Sequence, residues 1–178
     1  MAEPWQLGNI CGPTQAQPIS KPEVVIAMVK RAKHPLLILG SRAMEDDEEG
    51  RKILEYGSRI AKTGRINFIA VGPVSKAMLE KNIQPTSIMG VVDCVNRLLD
   101  PEWRGLDGKG PYDLVLFLGT CYYLESQMLS SLKHFTKGLR TLSLDRYYQP
   151  QASWSFPNIS FKSWSASLEM ITSKMEET

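Results

Sequence analysis

Histidine, cysteine and long apolar runs are all scarce in this chain. Of its 178 residues only two are histidine and three are cysteine. His34 and His134 form no HxxxH or HExxH pattern, and Cys11, Cys94 and Cys121 form no CxxC pair. Structural zinc sites and four-thiolate iron–sulfur clusters need denser ligand sets, so no metal site is expected on this chain. The odd cysteine count gives no disulfide framework, and the thiols read as small buried hydrophobes or inert groups. His34 precedes Pro35 at a strand entrance, and His134 falls near a helix C-terminus, where a cation is favourable. Both read as structural or surface residues. There is also no GxSxG nucleophile elbow and no Walker A loop. The stretch 105–110 imitates a phosphate loop, but it precedes a strand and no Ser or Thr follows Lys109, so it reads as a turn. No catalytic residue is expected.

An excess of one charge is missing too. The 21 Lys and Arg nearly balance 19 Asp and Glu, leaving +2. Nucleic-acid binding by phosphate neutralisation needs a concentrated positive face, so it is not the first expectation. The longest apolar run, residues 24–29, falls far short of the roughly 20 residues that span a bilayer. The N-terminus shows no basic region followed by an apolar one, so no signal peptide is expected. Hydrophobic residues nevertheless make up 43 % of the chain, enough for a core without staples. A single soluble, cytoplasmic domain over 1–178 is the expectation.

What is present is a regular alternation. Residues 1–20 carry Pro4, Pro13 and Pro18 with Trp5, Ile10 and Ile19 between them. Proline opposes a helix there, and the apolar residues suit an extended arm packed on the body or a partner. Ser20 is the expected N-cap of a first helix with Pro22 in its first turn. Pro35 then opens the apolar run Leu36 to Leu39, which suits a parallel strand covered on both faces. The acidic run 45–49 heads a second helix, with Glu48–Lys52 and Glu55–Arg59 as supporting pairs and Gly64 as its stop. Further strands are expected over 67–71, 86–89, 114–118, 140–144 and 154–159. Helices are expected over 74–81, 91–99, 122–134 and 161–175. This order implies a three-layer α/β fold around a doubly wound parallel sheet of about six strands, Rossmann-like.

In such sheets, ligands collect beyond the carboxyl ends of the strands where strand order reverses. Those ends carry Gly40, Ser41 and Arg42, then Gly72, then Gly119 and Thr120, and finally Asp145. Glycine at a strand end either admits a ligand or simply makes the turn. The first loop lacks the second and third glycines of the dinucleotide fingerprint, and the acids at 45–49 would repel a pyrophosphate. Ser75 and Lys76, in the first turn of the next helix, are the better anion residues, with Thr120 a second choice. Asp145 suits a ribose hydroxyl or a cap.

The segments His34-Pro35-Leu36-Leu37-Ile38-Leu39-Gly40, Tyr112-Asp113-Leu114-Val115-Leu116-Phe117-Leu118-Gly119 and Thr141-Leu142-Ser143-Leu144-Asp145 resemble the central domain of thiamine-diphosphate enzymes. That resemblance implies the deoxyhypusine-synthase-like NAD/FAD-binding fold, with FAD as the ligand to consider. A resemblance over the whole chain rests on three further groups. These are Pro4-Trp5-Gln6 through Gly12-Pro13, Arg65-Ile66-Asn67-Phe68, and Asp145-Arg146-Tyr147-Tyr148-Gln149-Pro150 with Ala152 and Ser155-Phe156-Pro157-Asn158. Together they resemble the epsilon subunit of the archaeal acetyl-CoA decarbonylase/synthase complex, the small subunit of carbon monoxide dehydrogenase. The resemblance implies a large alpha subunit bearing nickel–iron–sulfur and iron–sulfur clusters, which oxidises CO or reduces CO2. Other subunits would make or cleave acetyl-CoA, in methanogenesis or autotrophic carbon fixation. The small subunit would stabilise the assembly or assist electron transfer to FAD. Trp5, Trp103, Trp154 and Trp164 are candidate contact residues, with core packing as the alternative. A stand-alone FAD- or ADP-binding module is the competing reading, and a homo-oligomer is the ordinary default.

Overall fold

The computed structural model describes residues 14–177. Most of the expected N-terminal arm, with Trp5 and Cys11, lies outside the described residues. The elements run β1 (Gln17–Pro18), α1 (Pro22–Arg31), β2 (Pro35–Leu39), α2 (Glu48–Lys62), β3 (Asn67–Ala70), α3 (Gly72–Glu80) and β4 (Ser87–Ile88). They continue through α4 (Val91–Leu99), β5 (Leu114–Leu118), α5 (Tyr122–Phe135), β6 (Arg140–Ser143), β7 (Trp154–Ser155) and α6 (Phe161–Glu176). A short 3₁₀ turn, Ser41–Met44, joins β2 to α2. The described strands form one sheet in the order β1-β7-β6-β5-β2-β3-β4, with every pair parallel. The fold is α/β, Rossmann-like and three-layered. The seventh strand is the part of the arm that pairs with β7, Gln17 beside Trp154.

β2 and β5 are buried at every residue, which is why they read as unbroken apolar runs. Their side chains alternate between two cores. Leu37, Leu39, Leu114, Leu116 and Leu118 face α1, α2, α3 and α6; Leu36, Ile38, Val115 and Phe117 face α4 and α5. Burying each such side chain contributes about 1.5–3 kcal/mol. Trp164 is fully buried and donates its indole N–H to the Leu144 carbonyl at 2.8 Å. Trp103 and Trp154 are partly buried against the two cores, so the described tryptophans pack inward.

Several local expectations are corrected. Lys21, not Ser20, is the N-cap of α1, and it makes no side-chain cap; Pro22 sits at the first turn. The second helix starts within the acidic run and not at its head, at Glu48, because Asp47 caps α2 by accepting the Gly50 N–H at 2.6 Å. Lys52 pairs with Glu55 instead of Glu48. Arg59 reaches across to α6, meeting Glu169 at 2.7 Å and Glu176 at 2.8 Å. Gly64 does end α2 with a left-handed φ of +67°.

Candidate functional site

The strand order reverses between β2 and β5, so the ligand crevice of this topology lies beyond Leu39 and Leu118. There the chain fills the crevice with itself. Gly40 donates its N–H to the Leu118 carbonyl, and Arg42 donates its N–H to the Gly119 carbonyl, both at 2.9 Å. A Cβ on Gly40 would stand 2.3 Å from the Gly119 oxygen, and one on Gly119 would stand 2.6 Å from Ile53. Gly119 also holds a φ of +72°, a region that disfavours other residues. Glycine serves close backbone approach at both positions.

Above this contact lies a knot of charge. Gly119 donates its N–H to both Asp145 oxygens, at 2.9 and 3.1 Å. Glu49, on the first turn of α2, accepts from Arg42 at 2.9 Å and from Arg146 at 2.7 Å. The Arg146 guanidinium lies over the Tyr147 ring at 4.3 Å. Behind these, on α5, the Glu125 carboxyl is fully buried beside Asp145 and Ser143. Burial, and then the Asp145 charge, push Glu125 well above the usual carboxylate range. Burial also pushes Asp145 up to about 6, against the pull of the Gly119 N–H and Arg42. A proton kept on Glu125 removes the repulsion between the two carboxyls. Thr120 Oγ1, Ser143 Oγ, Gln149 Oε1 and both Glu125 oxygens are buried there without a well-aligned hydrogen bond.

The structure thus brings Gly40, Ser41, Arg42, Gly119, Thr120 and Asp145 to one place. Gly72, Ser75 and Lys76 stand one strand over, at the start of α3, which touches the 3₁₀ turn. Ser75 is buried, donating its hydroxyl to the Gly72 carbonyl at 2.6 Å and its N–H to the Val71 carbonyl at 3.0 Å. Lys76 is exposed. Glu49, Glu125 and Arg146 belong to the site but escaped the sequence reading. Glu125 had a signal: with Leu129 and Leu132 it lies on the buried face of α5, a position normally apolar. A flavin diphosphate needs free N–H donors and net positive charge. At the β2–β5 reversal the Gly40, Arg42 and Gly119 N–H groups are already used, and the Glu49 and Asp145 carboxylates offset the Arg42 and Arg146 guanidiniums. These residues do not fit that group.

Residues 1–173 match the family described as CO dehydrogenase beta subunit/acetyl-CoA synthase epsilon subunit. The chain belongs to this family. It is 36 % identical over 166 residues to subunit epsilon of the acetyl-CoA decarbonylase/synthase complex from Methanothermobacter thermautotrophicus, covering 93 % of this chain and 92 % of the relative. It is 42 % identical over 140 residues to subunit epsilon 1 of that complex from Archaeoglobus fulgidus, covering 78 % and 73 %. Subunit epsilon from Methanothrix soehngenii is 35 % identical over 158 residues, covering 89 % and 82 %.

In this epsilon-family chain the described thiols stand apart. Cys94 is buried on α4, and burial pushes it up to about 12; Cys121 is exposed at the start of α5. Among the described residues, no three His, Cys, Asp or Glu side chains gather as a metal site. The histidine expected at a strand entrance has a structural task. His34 stacks on Tyr112 at 4.1 Å and meets Asp107 at 3.1 Å. Asn67 donates to Asp107 at 3.0 Å and to the Tyr112 hydroxyl at 3.1 Å. Asn67 first, then the Lys109 backbone N–H and His34, hold the Asp107 carboxyl well below its usual range. This clip pins the glycine-rich turn 105–110 against the amino ends of β2 and β3.

Proposed function

We propose that the chain is a non-catalytic subunit of an acetyl-CoA decarbonylase/synthase complex. It binds the large CO dehydrogenase subunit, which carries the nickel–iron–sulfur and iron–sulfur clusters, and it stabilises that assembly. The observation that carries this reading is the family match over residues 1–173, together with relatives named as subunits of that complex. The strand-end crevice supports a holding role over a flavin role, because its N–H donors and charges are engaged with one another. Binding energy on such a chain goes into a protein interface and not into a reacting ligand.

Capture of the tagged chain from extracts of its native organism, under anaerobic low-salt conditions, tests the reading. A large protein containing nickel and iron, identified by mass spectrometry as a CO dehydrogenase subunit, is the expected companion. Recovery of the chain alone overturns the proposal. Titration of the purified chain with FAD separates the competing module reading. Saturable binding tighter than about 1 mM would favour that module.

A further inference from the structure

We infer that the amino-terminal end of the sheet is the docking face for an acidic surface of the large subunit. The inference rests on the assembly reading above and names the face that makes the contact. Two adjoining clefts open there, of about 220 and 190 Å³, sharing Ala32 and Lys33 as a common ridge. Lys30, Lys33 and Arg65 line the first; Arg31, Lys33 and Arg140 line the second. The one carboxylate lining either cleft is Asp113, and its two oxygens accept the backbone N–H groups of Lys33 and His34 at 2.8 and 2.9 Å. All five cations are exposed. Among the described residues, Lys30, Arg31, Lys33 and Arg140 form no ion pair.

Part of this charge has an internal explanation. Lys30 and Arg31 occupy the last turn of α1, where cations answer the partial negative charge of the helix end. Lys33, Arg65 and Arg140 lie beyond helix ends and have no such role. The exposed acids Glu45, Asp46, Asp47 and Glu48 lie at the opposite end of the sheet, and at the amino-terminal end Asp107, Glu176 and Glu177 are already paired within the chain.

Size and layout argue for protein side chains over a small anion. Each cleft is smaller than the roughly 300–1,000 Å³ of ordinary ligand pockets. The cations ring two hollows instead of converging on one point. Ile26, Val29 and Met175 floor the first cleft, giving apolar seats for the stems of inserted Glu and Asp side chains. Complementary charge around such seats speeds and orients protein association.

The test uses the full chain and the purified, anaerobically prepared large subunit, with Kd measured at several salt concentrations. The double variant Lys33→Glu/Arg140→Glu should bind more than about tenfold more weakly at low salt, with a flatter salt dependence. The neutral pair Lys33→Gln/Arg140→Gln should fall between the two. Lys21→Glu/Lys162→Glu, at the amino ends of α1 and α6, should stay within about threefold of the parent. Unfolding midpoints exclude misfolding, since all four side chains are exposed. Charge-reversed protein that binds like the parent, with the same salt dependence, overturns this inference and leaves the assembly reading intact. A parent chain that fails to bind the large subunit overturns both. Saturable binding of inorganic phosphate to the clefts, with subunit binding unaffected by the reversal, also overturns it.

Discussion

Glu125→Gln isolates the energetic consequence of burying a second carboxyl beside Asp145. In the unfolded chain, Glu125 ionises near pH 4.3. In the folded chain, burial and the neighbouring Asp145 keep its proton on to a higher pH. Between those two values the native state binds more protons than the unfolded state, so stability falls as pH rises. The slope is about 1.4 kcal/mol per pH unit for as long as Glu125 stays protonated. Gln has no proton to lose and keeps the shape, and its amide N–H groups can donate to Asp145 and Ser143. The variant should therefore gain on the parent by about 1.4 kcal/mol between pH 5 and 6. At about 2–4 °C per kcal/mol for a chain of this size, the gap between midpoints should widen by about 3–6 °C. Asp145 adds to the parent's own decline over pH 4 to 6, since its carboxyl is pushed up to about 6. Thermal unfolding followed by circular dichroism at pH 5, 6 and 7 reads this directly. A midpoint gap that stays constant or closes as pH rises would refute the reasoning, because it would mean that Glu125 is ionised and paired in the native state.

Two further substitutions and one labelling experiment examine the same packing. Gly40→Ala drives a Cβ into the Gly119 carbonyl and should destabilise by about 1–3 kcal/mol, whereas Gly72→Ala, with open space around it, should stay within about 0.5 kcal/mol. Equal midpoints for these two variants would contradict the closed crevice. A maleimide added to native protein should modify exposed Cys121 quickly and buried Cys94 only on unfolding. Site-resolved mass spectrometry checks this, and equal labelling would contradict the packing of α4.

The strands that carry the site were legible because burial on both faces demands unbroken apolar runs. β2 and β5 lie where those runs lie, and Gly40, Gly119 and Asp145 mark the ends beyond β2, β5 and β6. The edge strands were harder. β1 is two residues long and includes Pro18, so it reads as an arm until Trp154 is seen to pair beside Gln17. β7 stops at Ser155, short of the expected 159. Arg59 was expected to pair within its own helix, but on α6 Glu176 meets it with both oxygens and Glu169 with one. Local spacing cannot register a partner on another helix.

The sequence by itself determined the alternation of strands and helices, and with it the Rossmann-like fold. It also named the positions where the chain must turn without a side chain. Those properties follow from periodicity and from backbone sterics, which act over a few residues. Only the tertiary structure decided that Gly40 and Gly119 touch each other, that Glu125 is buried beside Asp145, and that Lys30, Arg31, Lys33, Arg65 and Arg140 gather around two clefts at the amino-terminal end of the sheet. Each of those depends on segments distant in sequence meeting in space. The balance of charge read from the sequence is therefore true of the sum and not of every surface.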